Sequence, residues 1–175
     1  MGRWKPPPPR SSPYITPAGY EALQSDLRNL WTRRADVVKA LAAAAAEGDR
    51  SENAEYIYRK KELGGIDSRI RYLQKRLPSL NIVRDTPGRD RVFFGAWVTV
   101  ERDDGSHAQY RIVGPDEADA ARGLISIDSP LARALLKKSP GDDVELRIGE
   151  QRESLIVDEI RYDQAVGFSR ARTRG

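Results

Sequence analysis

Cysteine is absent from the 175 residues and histidine occurs once, at His107. Disulfides, thiolate nucleophiles, thiolate zinc sites and histidine metal clusters are thereby excluded. Long apolar runs are missing as well: no stretch approaches the roughly 20 residues a membrane helix needs. The opening Met1-Gly2-Arg3-Trp4-Lys5, followed by four prolines, has no hydrophobic signal region. No membrane partner and a cytoplasmic location are therefore expected. Hydrophobic residues make up 39% and charged ones 32%, which suits one or two modest domains better than one large core. Neither sign of charge prevails: 30 basic against 26 acidic residues give +4 and a pI near 9.4. That bias is compatible with contact to nucleic acid and does not establish it.

What the chain does have is helical periodicity. Apolar residues recur in steps of three and four as Tyr20, Leu23, Leu27, Leu30, Val37, Leu41 and Ala44, with Arg34 interrupting. They recur again as Tyr56, Leu63, Ile66, Ile70, Leu73 and Leu77, with Arg59 interrupting. Each series is the seam of a helix packed lengthwise on a partner, and two seams joined by a short turn fold back on each other. Thr16-Pro17 supplies a cap and a first-turn proline, Gly48 ends the first helix, and Pro78 closes the second near Leu77. An arm from Pro17 to Glu47 is roughly 45 Å long, which must protrude from so small a protein.

The turn between the seams gathers acids, as Glu47, Asp49, Glu52 and Glu55, with only Arg50 opposing, whereas the shafts are net basic. A polyanion such as RNA could be steered along them, with Arg33, Arg34, Lys60 and Lys61 as candidates, while a phosphodiester meets the acids at the end. An ordinary solvated coiled-coil surface also shows flanking charges, so no single basic residue is assigned a role on this ground. Asp49-x-x-Glu52 opening a helix is also close to a capping box, and Ser51 is another available cap. Capping and chemistry both stay open there. Tyr56 and Tyr58 could stack on a base, although Tyr56 falls on the seam. Gly64-Gly65 inside the second helix costs about 1 kcal/mol per glycine relative to alanine, for no evident purpose.

Beyond the seams the rhythm changes to strands. Val92 to Val100 alternates, Asp103-Asp104-Gly105 turns, and Gln109 to Val113 returns. Further strands fit Leu124–Ile127, Val144–Ile148 and Glu153–Val157, with a short helix over Leu131–Lys137 capped by Ser129 and started by Pro130. The expected organisation is a proline-rich extended arm over 1–13 and an antiparallel helical coiled-coil hairpin over 14–80. A linker over 81–90, a small α+β domain over 91–163 and a basic, disordered tail over 164–175 follow.

Several ordered segments resemble the bacterial Gre transcript cleavage factors: Gly48-Asp49-Arg50-Ser51-Glu52-Asn53-Ala54-Glu55-Tyr56, Val92-Phe93-Phe94-Gly95-Ala96-Trp97-Val98, Tyr110-Arg111-Ile112-Val113-Gly114, and Ile125 to Lys138. Trp31, the Asp49-Arg50-Ser51 form of the turn and the Ser129–Lys138 segment resemble the GreB type more than GreA. The resemblance implies that the α+β domain is FKBP-like and docks on the rim of the RNA polymerase secondary channel, while the hairpin tip reaches toward the active centre. It further implies that Asp49 and Glu52 share a magnesium ion with polymerase and promote cleavage near the 3′ end of backtracked nascent RNA. Arg50, Ser51, Asn53 and Glu55 would support that tip, and Asp128, Ser129 and Pro130 would form a docking corner. The chain would be a monomeric, non-enzymatic factor acting on the bacterial elongation complex. A channel-binding regulator that inhibits without cleavage, and a prolyl isomerase suggested by an FKBP-like fold alone, are the other readings.

Overall fold

The computed structural model describes residues 11–47, 53–85, 88 and 90–163. The arm before residue 11 and the tail from 164 onward, whose form was anticipated from composition, lie outside the described residues. The chain divides into two compact units. One is Ala18–Leu80, and the other joins the residues up to Pro17 with those from Asn81 onward.

The first unit is the helical hairpin. Helix α1 spans Pro17–Ala46 and α2 spans Ala54–Arg76, with a 3-10 turn over Leu77–Ser79 where Pro78 removes an amide donor. Leu23, Val37 and Ala44 of α1 and Ile66, Ile70 and Leu73 of α2 are buried, as the three-and-four spacing requires. Cross-helix pairs fix the direction of packing. Arg69 Nη2 meets Asp26 Oδ2 at 3.0 Å and Arg33 Nη2 meets Glu62 Oε1 at 2.6 Å, so the partner number falls on α2 as it rises on α1. The helices are antiparallel. Both polar interruptions of the seams are absorbed as ion pairs: Arg34 Nε donates to Asp67 Oδ1 at 2.7 Å, and Arg59 sits between Glu55 at 2.7 Å and Glu62 at 3.1 Å. Partly exposed pairs of this kind contribute about 0.2–1 kcal/mol each. Burying each leucine or isoleucine contributes about 1.5–3 kcal/mol, so the apolar seam carries the hairpin.

Glu62 is the most enclosed of these acids, with a side chain 12% exposed. Its hydrogen bond from Arg33 leads the effects that hold its carboxyl below the usual value of 4.5. A depressed carboxylate pKa gives stability that is present above the unfolded value and lost as pH falls through the folded one. The hairpin is therefore expected to lose helicity on acidification below pH 4.5. A Glu62→Gln chain, followed by circular dichroism, should show a shallower acid dependence than the parent.

The second unit is a five-stranded sheet with one helix, giving the α+β class that was expected. The strands are β3 (Trp97–Arg102), β4 (His107–Val113), β5 (Leu124–Ser126), β6 (Asp143–Ile148) and β7 (Gln151–Arg161), in the order β5-β4-β3-β7-β6. All neighbours are antiparallel except β4 and β5. Helix α3 (Pro130–Leu135) packs Ala132 and Leu135 against a core that includes Val98, Val100, Ile112, Val144, Leu155 and Val157. A bulge between Thr99 and Val100 shifts the register with β7 and increases the local twist. Strand rhythm over Val92–Ala96 does not become strand, because Gly95 turns the chain at φ 86°, where its amide donates to the Ile112 carbonyl at 2.8 Å. Tyr162 closes the same corner: its hydroxyl donates to the Arg91 carbonyl at 2.6 Å and accepts from the Phe93 amide at 2.9 Å.

The hairpin boundary differs from the one drawn from sequence. Tyr14–Ile15 forms β1, paired in parallel with β2 (Asn81–Ile82), so these residues belong with the sheet unit, and part of the 81–90 linker is strand. Ile15 is fully buried. The Thr16 amide donates to Glu117 Oε2 at 2.9 Å, and its hydroxyl donates to the same carboxylate. The strap passes so close to Gly114 that a Cβ there would lie 2.0 Å from the Tyr14 carbonyl oxygen, so this position requires glycine.

Candidate functional site

Gly48, Asp49, Arg50, Ser51 and Glu52 lie outside the described residues, but both helix ends that carry them are defined. Helix α1 ends at Ala46, and α2 begins at Ala54 with Asn53 as its cap. Asn53 Oδ1 accepts from the Tyr56 amide at 3.1 Å, and its Nδ2 donates to the Ala44 carbonyl at 2.8 Å. One side chain thus closes the start of α2 and ties it to the last turn of α1. The cap falls on Asn53, and not on Ser51 or on a box formed by Asp49 and Glu52. Asn53→Ala is expected to destabilise the hairpin by about 1–2 kcal/mol, seen as a lower helical melting temperature. Asn53→Asp, which keeps only the acceptor, should lose less.

The remaining tip residue, Glu55, is exposed but engaged by Arg59 one turn later. The hydrogen bond that Arg59 donates to Glu55 is the largest of the effects that raise its guanidinium above the ordinary value. Of the acids anticipated at the turn, Glu55 is therefore charge-compensated. Among the described residues no group of three or more acidic, histidine or cysteine side chains is placed to hold a metal.

The four RNA-steering candidates separate into two pairs. Arg33 is bound to Glu62 and Arg34 to Asp67, so both guanidinium charges are balanced across the hairpin. Lys60 and Lys61 are exposed and make no ion pair among the described residues. The sequence offered no means of telling these pairs apart, because the compensating acids lie about 30 positions away.

In the sheet unit, Ser129 caps α3 by accepting from the Ala132 amide at 3.1 Å, and Pro130 is exposed at the first helical position. Asp128 is held: the Ser12 amide donates to its Oδ2 at 2.9 Å, and the Ser12 hydroxyl donates to its other oxygen. Sequence reasoning missed this contact, since 116 positions separate the partners.

Comparison with known proteins places both units. The family pattern of the GreA/GreB transcription elongation factor N-terminal region matches residues 13–82, and that of the GreA/GreB C-terminal region matches residues 86–162. A transcription elongation factor GreB of Xanthomonas axonopodis pv. citri is 54% identical over 165 residues, covering 93% of this chain and 98% of the relative. A second GreB, from Pseudomonas aeruginosa, is 52% identical over 167 residues, 94% of this chain and 99% of that one. A third, from Haemophilus ducreyi, is 48% identical over 154 residues, 87% and 95% respectively. With both of its units matched and about half of the aligned residues shared with relatives that it covers almost completely, this chain belongs to the GreA/GreB family of transcription elongation factors.

Proposed function

We propose that this chain binds bacterial RNA polymerase, presents Asp49 and Glu52 at the end of its hairpin to the polymerase active centre, and stimulates cleavage near the 3′ end of backtracked RNA. The observation that supports this reading is the cap at Asn53: the N-cap position of α2 is held by a residue other than Asp49 or Glu52. Magnesium is commonly held by one or two carboxylates together with substrate oxygens, so two acids on a turn fit a shared site and are too few for a tight one. An ion held there would supply charge for the attacking and leaving oxygens of the phosphodiester. This chain's contribution is the two carboxylates, their placement on a rod, and the rigidity that Asn53 gives the rod's end. Lys60 and Lys61, which make no ion pair among the described residues, supply positive charge on α2.

The docking reading for Asp128, Ser129 and Pro130 is supported by their place at a helix start where Pro130 is exposed. On this reading the factor is a cytoplasmic monomer and no enzyme by itself. The test mixes the full chain with a backtracked elongation complex and magnesium. Release of 3′ RNA fragments is expected, with elongation resuming afterwards. Binding that slows elongation without releasing fragments would instead identify an inhibitory channel regulator, and magnesium-dependent cleavage of free RNA by the chain alone would contradict the shared site.

A further inference from the structure

Asp128 is gripped from far away in the chain. The Ser12 amide donates to one of its carboxylate oxygens at 2.9 Å and the Ser12 hydroxyl donates to the other, so one residue of the strap holds both oxygens of an acid 116 positions further on. Hydrogen bonds to an ionised acceptor are stronger than those between neutral groups, and a bond to each oxygen fixes the plane of the carboxylate as well as its place.

We infer that Ser12 is a positioning residue of the docking corner: by holding the Asp128 carboxylate in one orientation, it sets how Asp128, Ser129 and Pro130 meet hydrogen-bond donors on RNA polymerase. This role rests on the docking reading of that corner and adds the residue that prepares it.

Anchoring the strap does not require the grip. The Asn81 amide donates to the Pro13 carbonyl at 2.8 Å, and the Val83 amide to the Ile15 carbonyl at 2.9 Å. Ile15 is fully buried. Thr16 donates through its amide and its hydroxyl to Glu117, which the Gly114 amide also reaches at 3.0 Å. Strand pairing, a buried side chain and a second carboxylate thus hold the strap just beyond Ser12, and removing the Ser12 hydroxyl leaves all of them in place.

The backbone of the corner is set separately too. The Ile127 amide donates to the Val113 carbonyl at 2.8 Å, the Asp128 amide to the Ser126 hydroxyl at 3.1 Å, and the Ser129 amide to the Ser126 carbonyl at 2.9 Å. Ser129, and not Asp128, caps α3. The Asp128 side chain turns about its own torsions, and these are what the grip fixes. A carboxylate offers about four acceptor sites, of which Ser12 takes one on each oxygen, and the directions of the others follow from the grip. Ordering a side chain on association costs affinity, and a side chain fixed beforehand does not incur that cost. Ser12 therefore acts on the binding step and leaves the chemistry at the hairpin tip alone.

The experiment measures the affinity of full-length variants for bacterial core RNA polymerase, with thermal unfolding of each chain alongside. Ser12→Ala should weaken binding by about fivefold at a melting temperature close to that of the parent. Ser12→Thr, which keeps a hydroxyl, should restore most of the affinity. Asp128→Ala should weaken binding at least as much, and adding Ser12→Ala to it should change nothing further, because the two residues act as one unit. Thr16→Ala is the contrast: it removes an anchor of the strap, so it should melt lower and still bind polymerase like the parent. With a backtracked complex, Ser12→Ala should raise the factor concentration that gives half the maximal cleavage rate and leave the rate at saturation unchanged.

Parent-like affinity in Ser12→Ala beside a loss in Asp128→Ala would overturn the positioning role and leave the docking corner standing. Additive losses would overturn it as well, since Ser12 would then act apart from Asp128. So would a loss in Ser12→Ala that follows a fall in melting temperature and is not restored by threonine. Parent-like affinity in Asp128→Ala would remove the docking reading itself, and the role of Ser12 with it.

Discussion

Asp49→Asn and Glu52→Gln should each lower stimulated RNA cleavage by on the order of 100-fold while leaving the fold and polymerase binding in place. Each substitution keeps the size and much of the hydrogen-bonding capacity of the side chain and removes one negative charge, which is what a magnesium ion requires of its ligand. A structural explanation for a loss is weak in advance, because the start of α2 is capped by Asn53 and the chain ends on either side are linked by its bond to the Ala44 carbonyl. The comparison to make is cleavage rate against affinity for the elongation complex. Loss of rate at constant affinity is the expected signature, and full cleavage in both carboxamide variants would defeat the assignment. Asn53→Ala serves as the contrast: it should lower the melting temperature and impair cleavage only as far as the tip loosens.

Leu135→Ala should have the largest effect on stability, destabilising the sheet unit by about 2–5 kcal/mol. Leu135 is fully buried and, with Ala132, is the means by which the short helix α3 closes the core of the sheet. Truncation removes contacts on a helix of six residues, which is too short to hold its form without packing. The helix start it supports, Ser129-Pro130 beside Asp128, is the proposed docking corner, so polymerase affinity should fall together with stability. Leu136→Ala, at a half-buried neighbouring position, should cost distinctly less. Thermal unfolding of the three chains decides the matter: similar transitions for Leu135→Ala and Leu136→Ala would show that α3 does not close the core as described.

The helices were legible because their signals are local. Steps of three and four bring neighbours to one face, Pro17 begins α1, and Pro78 ends α2 within a residue or so of the place sequence assigned. Sheet edges were less legible. Val92 to Ala96 alternates as a strand should, but a left-handed glycine at 95 turns the chain before Trp97. Strand β7 runs to 11 residues, well beyond Glu153–Val157, because pairing with both β3 and β6 extends it through polar residues that have little strand tendency of their own. The cap at Asn53 was not named from sequence, where Asp49 with Glu52 and Ser51 were weighed as caps, because several residues of the turn are good caps and the reach of Asn53 to Ala44 is a tertiary contact.

Sequence alone determined the hairpin, its acidic turn, the α+β class of the second unit and the family, since periodicity, end signals and ordered motifs are written in adjacent residues. Tertiary structure decided which charges are paired among the described residues. Arg33 and Arg34 read like Lys60 and Lys61 until Glu62 and Asp67 are seen beside them. The same holds for the strap, where Thr16 meets Glu117 and Ser12 meets Asp128 across 101 and 116 positions. Pairings at such separations depend on the closing of the whole fold, and no local pattern of residues encodes them.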